Sequence, residues 1–146
     1  DLLIIETMTD LKEMEQALKA AAEFNHPLIA QMNFTSAGKT VMGNGIEESA
    51  VLIEKYGADV MGINCTPGMN ATIPLIATLN KATDLPLSVF PNAGSPQLQD
   101  GNITYPEGPD DYIEGLSELL KYNVKIIGGC CGSNPEIIAA ISSYFN

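Results

Sequence analysis

Three cysteines are the side chains in this sequence that are best suited to chemistry. Cys65 ends the segment Gly62–Cys65, which reads GINC, while Cys130 and Cys131 are adjacent in the segment Ile127–Gly132, which reads IGGCCG. Glycines beside cysteines allow the backbone to turn sharply, so that neighbouring thiols can converge on one point. Three thiolates leave one tetrahedral position of Zn²⁺ open, which is typical of catalytic rather than structural zinc. The pattern therefore predicts a catalytic zinc site.

The cysteines also allow other interpretations. Cysteines are often buried as small hydrophobic residues, and Cys130 and Cys131 could form a redox-active disulfide between neighbours. Adjacent cysteines rarely bridge because the ring is strained, and a count of three fits a secreted disulfide scaffold poorly. We therefore favour a reducing, cytoplasmic compartment in which the thiols bind metal or take part in chemistry.

The single histidine, His26, is not expected to complete the zinc site. It precedes Pro27 at the start of a predicted strand, whereas the three cysteines lie at strand ends. His26 should therefore lie at the opposite end of the fold, as a surface or loop residue. With no fourth cysteine and no suitably placed histidine, we expect the site to remain open.

Length and charge limit the classes of protein to consider. The chain has 146 residues, of which 45% are hydrophobic, so one domain is expected. Seven Lys and Arg against 18 Asp and Glu give a net charge of −11, which disfavours nucleic acid and anionic membranes as partners. No apolar run is long enough to span a bilayer. Residues 1–6 already read as a buried strand, which suggests a piece of a longer chain.

Five strand-like segments alternate with five helix-like segments along the chain. Each short apolar run is followed by a loop and then by apolar residues at helical spacing. The pairs are Asp1–Glu6 with Leu11–Phe24, Pro27–Phe34 with Ile46–Tyr56, Ala58–Cys65 with Thr72–Lys81, Leu85–Phe90 with Pro109–Tyr122, and Val124–Gly129 with Pro135–Phe145. Such alternation predicts a parallel sheet covered by helices.

Helix-capping residues support these boundaries. Asp10 is placed to cap the first helix, with Glu13 at the capping-box position. Asn134, followed by a proline, supplies an N-cap for the last helix, and Gly57 is placed as a C′ glycine. Residues 92–108 form the one long polar loop.

Polar and reactive residues lie at the carboxyl end of every predicted strand. They are Glu6, Asn33, Asn64, Cys65, Asn92, Cys130 and Cys131. An open doubly wound sheet places its site at one switch point and uses only some strand ends. A barrel gathers all its strand ends around one mouth, where active sites lie. The distribution therefore favours a (β/α)8 TIM barrel, of which this chain holds about five βα units.

Several motifs together make this chain resemble a known family. They are residues 6–8 (ETM) with Asp10, residues 62–65 (GINC), residues 91–94 (PNAG) with Pro96, residues 105–106 (YP), and residues 128–132 (GGCCG) with Pro135 and Glu136. Over its whole length the chain resembles the homocysteine S-methyltransferase domain, in particular the homocysteine-binding barrel of cobalamin-dependent methionine synthase.

The resemblance implies a (β/α)8 barrel in which residues 1–146 form the C-terminal part. Asp1–Glu6 would match the fourth strand of that barrel and Val124–Gly129 the eighth. The first three βα units would then be absent, together with a family motif of the type Asp-Gly-Ala-Met-Gly-Thr that helps to form the substrate site. Part of the substrate site would therefore lie outside this chain.

The resemblance also implies roles for individual residues. Cys65, Cys130 and Cys131 would be the zinc ligands, and Glu6 would bind the α-amino group of homocysteine. Asn92 would lie near the metal, either approaching it when substrate is absent or orienting the bound amino acid. The alternatives are that Glu6 is a surface carboxylate and that Asn92 is a turn residue.

The function that the resemblance implies is zinc-dependent methyl transfer to the thiol of L-homocysteine, which forms methionine. Residues 92–106 look more like methionine synthase than like the branches that use betaine or S-methylmethionine, so methylcobalamin, bound outside this chain, is the expected donor. The expected partners are the missing N-terminal half of the barrel and cobalamin- and folate-binding domains. A related thiol methyltransferase, an inactive fragment and a structural zinc-binding module are the alternatives.

Overall fold

The fold is a row of parallel strands with helices packed along one side. The computed structural model describes all 146 residues. The strands are β1 (Leu3–Met8), β2 (Leu28–Met32), β3 (Val60–Asn64), β4 (Leu87–Phe90), β5 (Gln97–Gln99), β6 (Asn102–Thr104) and β7 (Val124–Ile127). The helices are α1 (Leu11–Ala21), α2 (Ile46–Lys55), α3 (Met69–Ala82), α4 (Pro109–Leu119) and α5 (Pro135–Tyr144).

Strand order distinguishes a barrel from an open doubly wound sheet. The main sheet runs β1-β2-β3-β4-β7, and every neighbouring pair is parallel. The β5–β6 hairpin lies within the connection from β4 to β7, so each new main-sheet strand is added beside the previous one. This sequential order is the barrel topology, whereas a doubly wound sheet reverses direction at a switch point. The prediction of a partial (β/α)8 barrel is confirmed.

Alternation along the strands divides the sheet into an apolar and a polar face. Side chains on the apolar face pack against the helices in one core, which contains Ala30, Met32, Met61, Ile63, Leu87 and Val89 from strands and Met14, Leu18, Ile53, Ile76, Leu116 and Ile141 from helices. The opposite face carries Gln31, Gly62, Asn64 and Ser88, all of them buried. Burial on both faces explains why β2 and β3 read as nearly continuous apolar runs.

The polar face is tightly packed around Gly62. Gln31 Nε2 donates a hydrogen bond to Ser88 Oγ at 2.9 Å across the strand that carries this glycine. A Cβ atom on Gly62 would lie 2.5 Å from the carbonyl oxygen of Ser88 and would also overlap its hydroxyl. Only glycine fits where the two flanking polar side chains meet.

The observed helix caps match those predicted from the sequence, with one exception. Asp10 accepts a hydrogen bond from the amide of Lys12 at 2.8 Å, Asn134 caps the last helix, and Gly57 takes a φ of 75° after the second helix. The capping box expected from Glu13 is wrong. The Asp10 carboxylate binds the second amide of the helix instead of the third, so the reciprocal pairing does not form.

A hairpin within the loop of residues 92–108 was not predicted. β5 and β6 pair in antiparallel fashion around Asp100 and Gly101, whose φ angles are 50° and 79°. Two consecutive positive φ angles define a type I′ turn, for which Asp-Gly is a preferred sequence. The signal was therefore present in the sequence, but the flanking strands are only three residues long.

Both edges of the main sheet are open. β1 pairs only with β2 and β7 only with β4. An apolar groove runs beside β7 and is lined by residues that include Leu116, Val124, Ile127, Ile138 and Phe145. None of the helices is both long enough and apolar enough to cross a bilayer.

We expect Gly62→Ala to lower the free energy of unfolding by about 2–3 kcal/mol, because the added methyl group overlaps a backbone carbonyl that cannot move alone. Urea denaturation measures the change. Gly108→Ala is the control, since its Cβ would meet no atom within 4 Å, and it should cost less than about 1 kcal/mol. Equal losses in the two variants would contradict the packing argument.

Candidate metal centre

The three cysteines meet at the carboxyl ends of the strands. Cys65 directly follows β3, while Cys130 and Cys131 follow β7 two strands away. Their sulfur atoms all lie within 4.8 Å of one another, and Cys65 Sγ and Cys131 Sγ are 3.8 Å apart. All three thiols are free, and none of them is fully buried. The fold therefore brings together residues that are 65 positions apart in the sequence.

The geometry of these sulfurs fits a tetrahedral metal ion. Metal–sulfur bonds of about 2.3 Å at tetrahedral angles separate two ligand sulfurs by about 3.8 Å. The Cys65–Cys131 separation has this value, and the three sulfurs can surround one ion after small side-chain rotations. No fourth Cys, His, Asp or Glu joins the cluster, so one coordination position would be left to a ligand from outside it.

The turn that carries Cys130 and Cys131 is held by the loop after β4. The amide of Cys130 donates to the carbonyl of Pro91 at 2.8 Å, and the amide of Ala93 donates to the carbonyl of Cys131 at 2.9 Å. The amide of Cys131 donates to Asn92 Oδ1 at 3.0 Å. Three consecutive residues of the β4 loop thus fix both cysteines through the backbone, leaving their thiols free.

Tyr112 of α4 supports the same loop from the helix layer. It is completely buried, and its hydroxyl donates to the carbonyl of Pro91 at 2.8 Å and lies 3.2 Å from Ser133 Oγ. Sequence reasoning did not single out Tyr112. A tyrosine on the buried face of an amphipathic helix was the available signal, because a buried hydroxyl needs a hydrogen-bond partner.

Gly132 and Tyr105 close the other side of the cysteine turn. Gly132 has a φ of 80°, and a Cβ atom there would lie 2.5 Å from Cδ2 of the Tyr105 ring. The ring can pack on the turn only because this residue lacks a side chain. Burial, followed by the charge of Cys131, raises the pKa of Tyr105, which keeps its hydroxyl protonated beside the thiols.

Cys65 has a strained backbone. Its φ is 57°, a left-handed conformation that costs a residue with a side chain roughly 1–3 kcal/mol. The conformation is held by the amide of Cys65, which donates to the carbonyl of Phe90 at 3.0 Å, and by Asn33 Nδ2, which donates to the carbonyl of Cys65 at 2.8 Å. Such strain at a reactive residue is typical of functional sites.

Glu6 lies on an irregular part of β1. Ile5 pairs with Ala30 and Met8 pairs with Met32, so Glu6 and Thr7 together face a single residue of β2 in a β-bulge. Glu6 is exposed, and its carboxylate makes no hydrogen bond or ion pair within the chain. The structure therefore leaves this carboxylate free near the carboxyl end of β1.

The surroundings of the thiols favour their neutral forms. Burial, the hydrogen bond with Cys131 and the charges of the neighbouring thiolates raise the pKa of Cys65 to about 11, against the opposing hydrogen bond from Asn92. Burial, together with the charge of Cys131, also raises the pKa of Cys130. A metal ion would therefore have to displace protons from these cysteines on binding.

The remaining candidates differ in their environments. Asn92 is 7% exposed in the loop after β4, and its side chain contacts both Cys131 and Cys65, so it is a neighbour of the thiols. His26 is exposed and precedes β2, at the opposite end of the strands from the cysteines. The expectation that His26 lies away from the site is confirmed.

Sequential βα units with clustered thiols at their carboxyl ends define a barrel-type fold with a candidate metal centre. A sequence profile described as homocysteine S-methyltransferase matches residues 1–145. The chain belongs to the homocysteine S-methyltransferase family. The resemblance deduced from the cysteine and glycine motifs is thereby confirmed.

Individual relatives show how much of each protein this chain represents. It is 29% identical over 154 residues to the methionine synthase of Mycobacterium tuberculosis, covering 98% of this chain and 13% of that protein. It is also 29% identical to homocysteine S-methyltransferase 3 of Zea mays, covering 100% of this chain and 45% of that protein. The chain spans less than half the length of these relatives.

A solved structure shows the same arrangement of elements. The apo form of the homocysteine methyltransferase MmuM from Escherichia coli superimposes with a TM-score of 0.80 at 23% identity, over 99% of this chain and half of that one. Its metallated form gives a TM-score of 0.77 at 26% identity. The five βα units described above therefore correspond to part of a longer enzyme fold.

In the metal-free protein, we expect iodoacetamide at pH 8 to label Cys65 on the order of a hundredfold more slowly than a free cysteine, because a pKa of about 11 leaves little thiolate. The rate should rise about tenfold per pH unit up to pH 10. Peptide mass spectrometry measures it, with the urea-unfolded chain as control. A plateau of the rate below pH 9 would contradict the raised pKa.

The same shift makes the stability of the metal-free fold depend on pH. The pKa of Cys65 is higher in the folded chain than the unfolded value of about 8.5. The folded state therefore binds the Cys65 proton more tightly than the unfolded state does. The contribution of this proton to the free energy of unfolding is complete below about pH 8.5. It is lost as the pH rises toward about 11.

Proposed function

We propose that this chain supplies the zinc and substrate-thiol part of a homocysteine S-methyltransferase, which transfers a methyl group to L-homocysteine to form methionine. The observation that carries the proposal is the cluster of Cys65, Cys130 and Cys131 sulfurs, which has no fourth protein ligand. In a member of the homocysteine S-methyltransferase family, that open position is suited to the sulfur of the substrate.

The donor set supports zinc as the metal. Three thiolates are soft ligands that select zinc among the common divalent ions, and tetrahedral geometry with sulfur ligands is typical of zinc sites. A metallated form of the related Escherichia coli enzyme MmuM, 26% identical, agrees with a metal in this fold. In this proposal Cys65, Cys130 and Cys131 are the ligands.

The chemistry requires a deprotonated substrate sulfur. A free thiol has a pKa of about 8.5 and is mostly protonated at neutral pH. When bound, zinc would supply the Lewis acidity that keeps the homocysteine sulfur as a thiolate. The sulfur attacks the methyl carbon in line, and the bond from that carbon to its carrier breaks with the electron pair left on the carrier. The protein therefore needs no general base.

Residues of this chain hold the two ends of the substrate. The free carboxylate of Glu6 binds the ammonium group of homocysteine through charge-assisted hydrogen bonds. Asn92, whose amide oxygen accepts from the amide of Cys131, keeps its Nδ2 group beside the thiols and orients the bound amino acid. The strand ends thus bind the amino group at β1 and the sulfur between β3 and β7.

The donor and the partners extend beyond this chain. We take methylcobalamin as the donor, bound on another domain, because the chain matches methionine synthases of which it covers only 12–13%. A cobalamin- and a folate-binding domain would lie in the remainder. The Zea mays relatives match at similar identity, so a donor such as S-methylmethionine or betaine is the second candidate.

The open edges of the sheet support a further part of the proposal. β1 and β7 each have one unpaired side, and the groove beside β7 is apolar. Three additional βα units, the N-terminal part of the barrel, would pair with these edges and cover the groove. The free thiols further support a reducing, cytoplasmic compartment.

The test is to measure zinc per chain and then the ligand set by X-ray absorption, before and after L-homocysteine is added. We expect about one zinc with three sulfurs, and a fourth sulfur once homocysteine binds. Cys131→Ala should lose zinc and homocysteine binding together, whereas His26→Ala should retain both. A closed four-ligand site that does not change with homocysteine would indicate structural zinc and contradict the proposal.

We expect Glu6→Gln to weaken homocysteine binding about ten- to a hundredfold, because the ammonium loses a charge-assisted hydrogen bond. Isothermal titration of the zinc-loaded protein measures this, and zinc content should not change. Glu23→Gln, at an exposed position beyond α1, is the matched control and should bind as the parent does. Unchanged binding by Glu6→Gln would remove this residue from the substrate site.

A further inference from the structure

An amide side chain connects the Glu6 end of the site to the Cys65 end. Asn64, the last residue of β3, is completely buried and lies next to Cys65 in sequence. Its Oδ1 accepts a hydrogen bond from the amide of Thr7 at 2.9 Å, and its Nδ2 donates to Thr7 Oγ1 at 2.6 Å. Both the oxygen and the nitrogen of the Asn64 side-chain amide therefore form hydrogen bonds with Thr7, the residue that follows Glu6.

Thr7 needs this contact because its backbone is strained. Its φ is 61°, which is unusual for a β-branched residue. Ile5 and Met8, on either side of the bulge, both pack toward the helix core. Glu6 and Thr7 are the two bulge residues between them and are not part of that core. The Asn64 amide replaces the strand partner that the Thr7 amide lacks.

The other end of the connection is equally constrained. Asn33, at the end of β2, donates from Nδ2 to the carbonyl oxygens of both Asn64 and Cys65, at 3.1 and 2.8 Å. The amide of Asn33 in turn donates to the carbonyl of Met8 at 2.9 Å. The ends of three neighbouring strands are joined by a closed set of hydrogen bonds that includes no thiol and leaves the Glu6 carboxylate free.

We infer that Asn64 is a positioning residue that sets the separation between the Glu6 carboxylate and the Cys65 thiol. The inference rests on the proposed function, in which these groups hold the ammonium and sulfur ends of one amino acid. A rigid separation selects a substrate by the number of methylene groups between the two ends. The site therefore accepts homocysteine and discriminates against cysteine, which is one methylene shorter.

A purely structural role for Asn64 makes a different prediction. If the amide only stabilised the sheet, its removal would lower stability and weaken both amino acids equally. If it sets a distance, its removal lets Glu6 adjust to a shorter ligand, so homocysteine loses affinity and cysteine does not. The ratio of the two dissociation constants separates the two roles, because a general loss of stability cancels from it.

The experiment measures dissociation constants of L-homocysteine and L-cysteine for the zinc-loaded protein. We expect Asn64→Ala to reduce the preference for homocysteine at least tenfold while zinc content stays at the parent value. Asn64→Asp, which still accepts from the Thr7 amide, should retain most of the preference. Asn123→Ala is the control and should retain the full preference, since Asn123 precedes β7 and donates to the backbone carbonyls of Asp84 and Leu85, which precede β4.

A second measurement needs neither metal nor substrate. In the metal-free protein, the amide of Thr7 should be protected from hydrogen exchange and should exchange at least tenfold faster in Asn64→Ala. The amide of Met61, which donates to the carbonyl of Pro86 just before the neighbouring strand β4, should keep its protection and report that the sheet is intact. If Asn64→Ala does not fold, the ratio of dissociation constants is measured on Thr7→Ala, which removes the bond to Thr7 Oγ1 but keeps the bond from the amide of residue 7.

The outcomes distinguish this inference from the proposed function. If the parent protein binds zinc and prefers homocysteine but Asn64→Ala (or Thr7→Ala) keeps the same preference, the positioning role is wrong and the proposed function stands. If the parent protein does not bind homocysteine through zinc, the proposed function fails and the inference fails with it. A reduced preference together with a faster Thr7 exchange supports the inference.

Discussion

Convergence of the three cysteine sulfurs depends on holding the ends of β3 and β7 close together although β4 lies between them. The sulfur contact between the two strand ends, Cys65 Sγ to Cys131 Sγ at 3.8 Å, is a weak thiol hydrogen bond and contributes little to that attraction. The loop after β4 supplies it instead, through backbone bonds from Pro91 and Ala93 and the side chain of Asn92. Tyr112 then ties this loop to the helix layer. A loop that contains no cysteine therefore builds most of the site.

The arrangement separates stability from reactivity. Hydrogen bonds among backbone groups, asparagine amides and the Tyr112 hydroxyl carry the structural role, so the thiols and the Glu6 carboxylate are left without strong partners inside the chain. Within the proposed site, backbone strain lies at Thr7 and Cys65, which flank the proposed substrate position and have positive φ angles. Both are held by neighbouring asparagines. Strained residues of this kind persist only where the surrounding structure over-determines them.

The sequence predicted the main elements well and the fine contacts poorly. The five βα units and their order follow from hydrophobic periodicity, and Asp10 and Asn134 cap the helices as expected. The β5–β6 hairpin was missed because its strands are too short to show alternation, although Asp-Gly marked its turn. The prediction of a Glu13 capping box was wrong because the Asp10 carboxylate accepts a hydrogen bond from the second amide of the helix and not from the third.

By itself the sequence determined the family, the partial barrel and the identity of the three thiols, since these depend on residue type, spacing and periodicity along the chain. It could not determine that Asn64 forms hydrogen bonds with Thr7, that Tyr112 supports the cysteine turn, or that burial raises the pKa of Cys65. These contacts join positions from 21 to 57 residues apart. Only tertiary packing decides them, because hydrogen-bond partners and burial depend on which strand ends lie side by side.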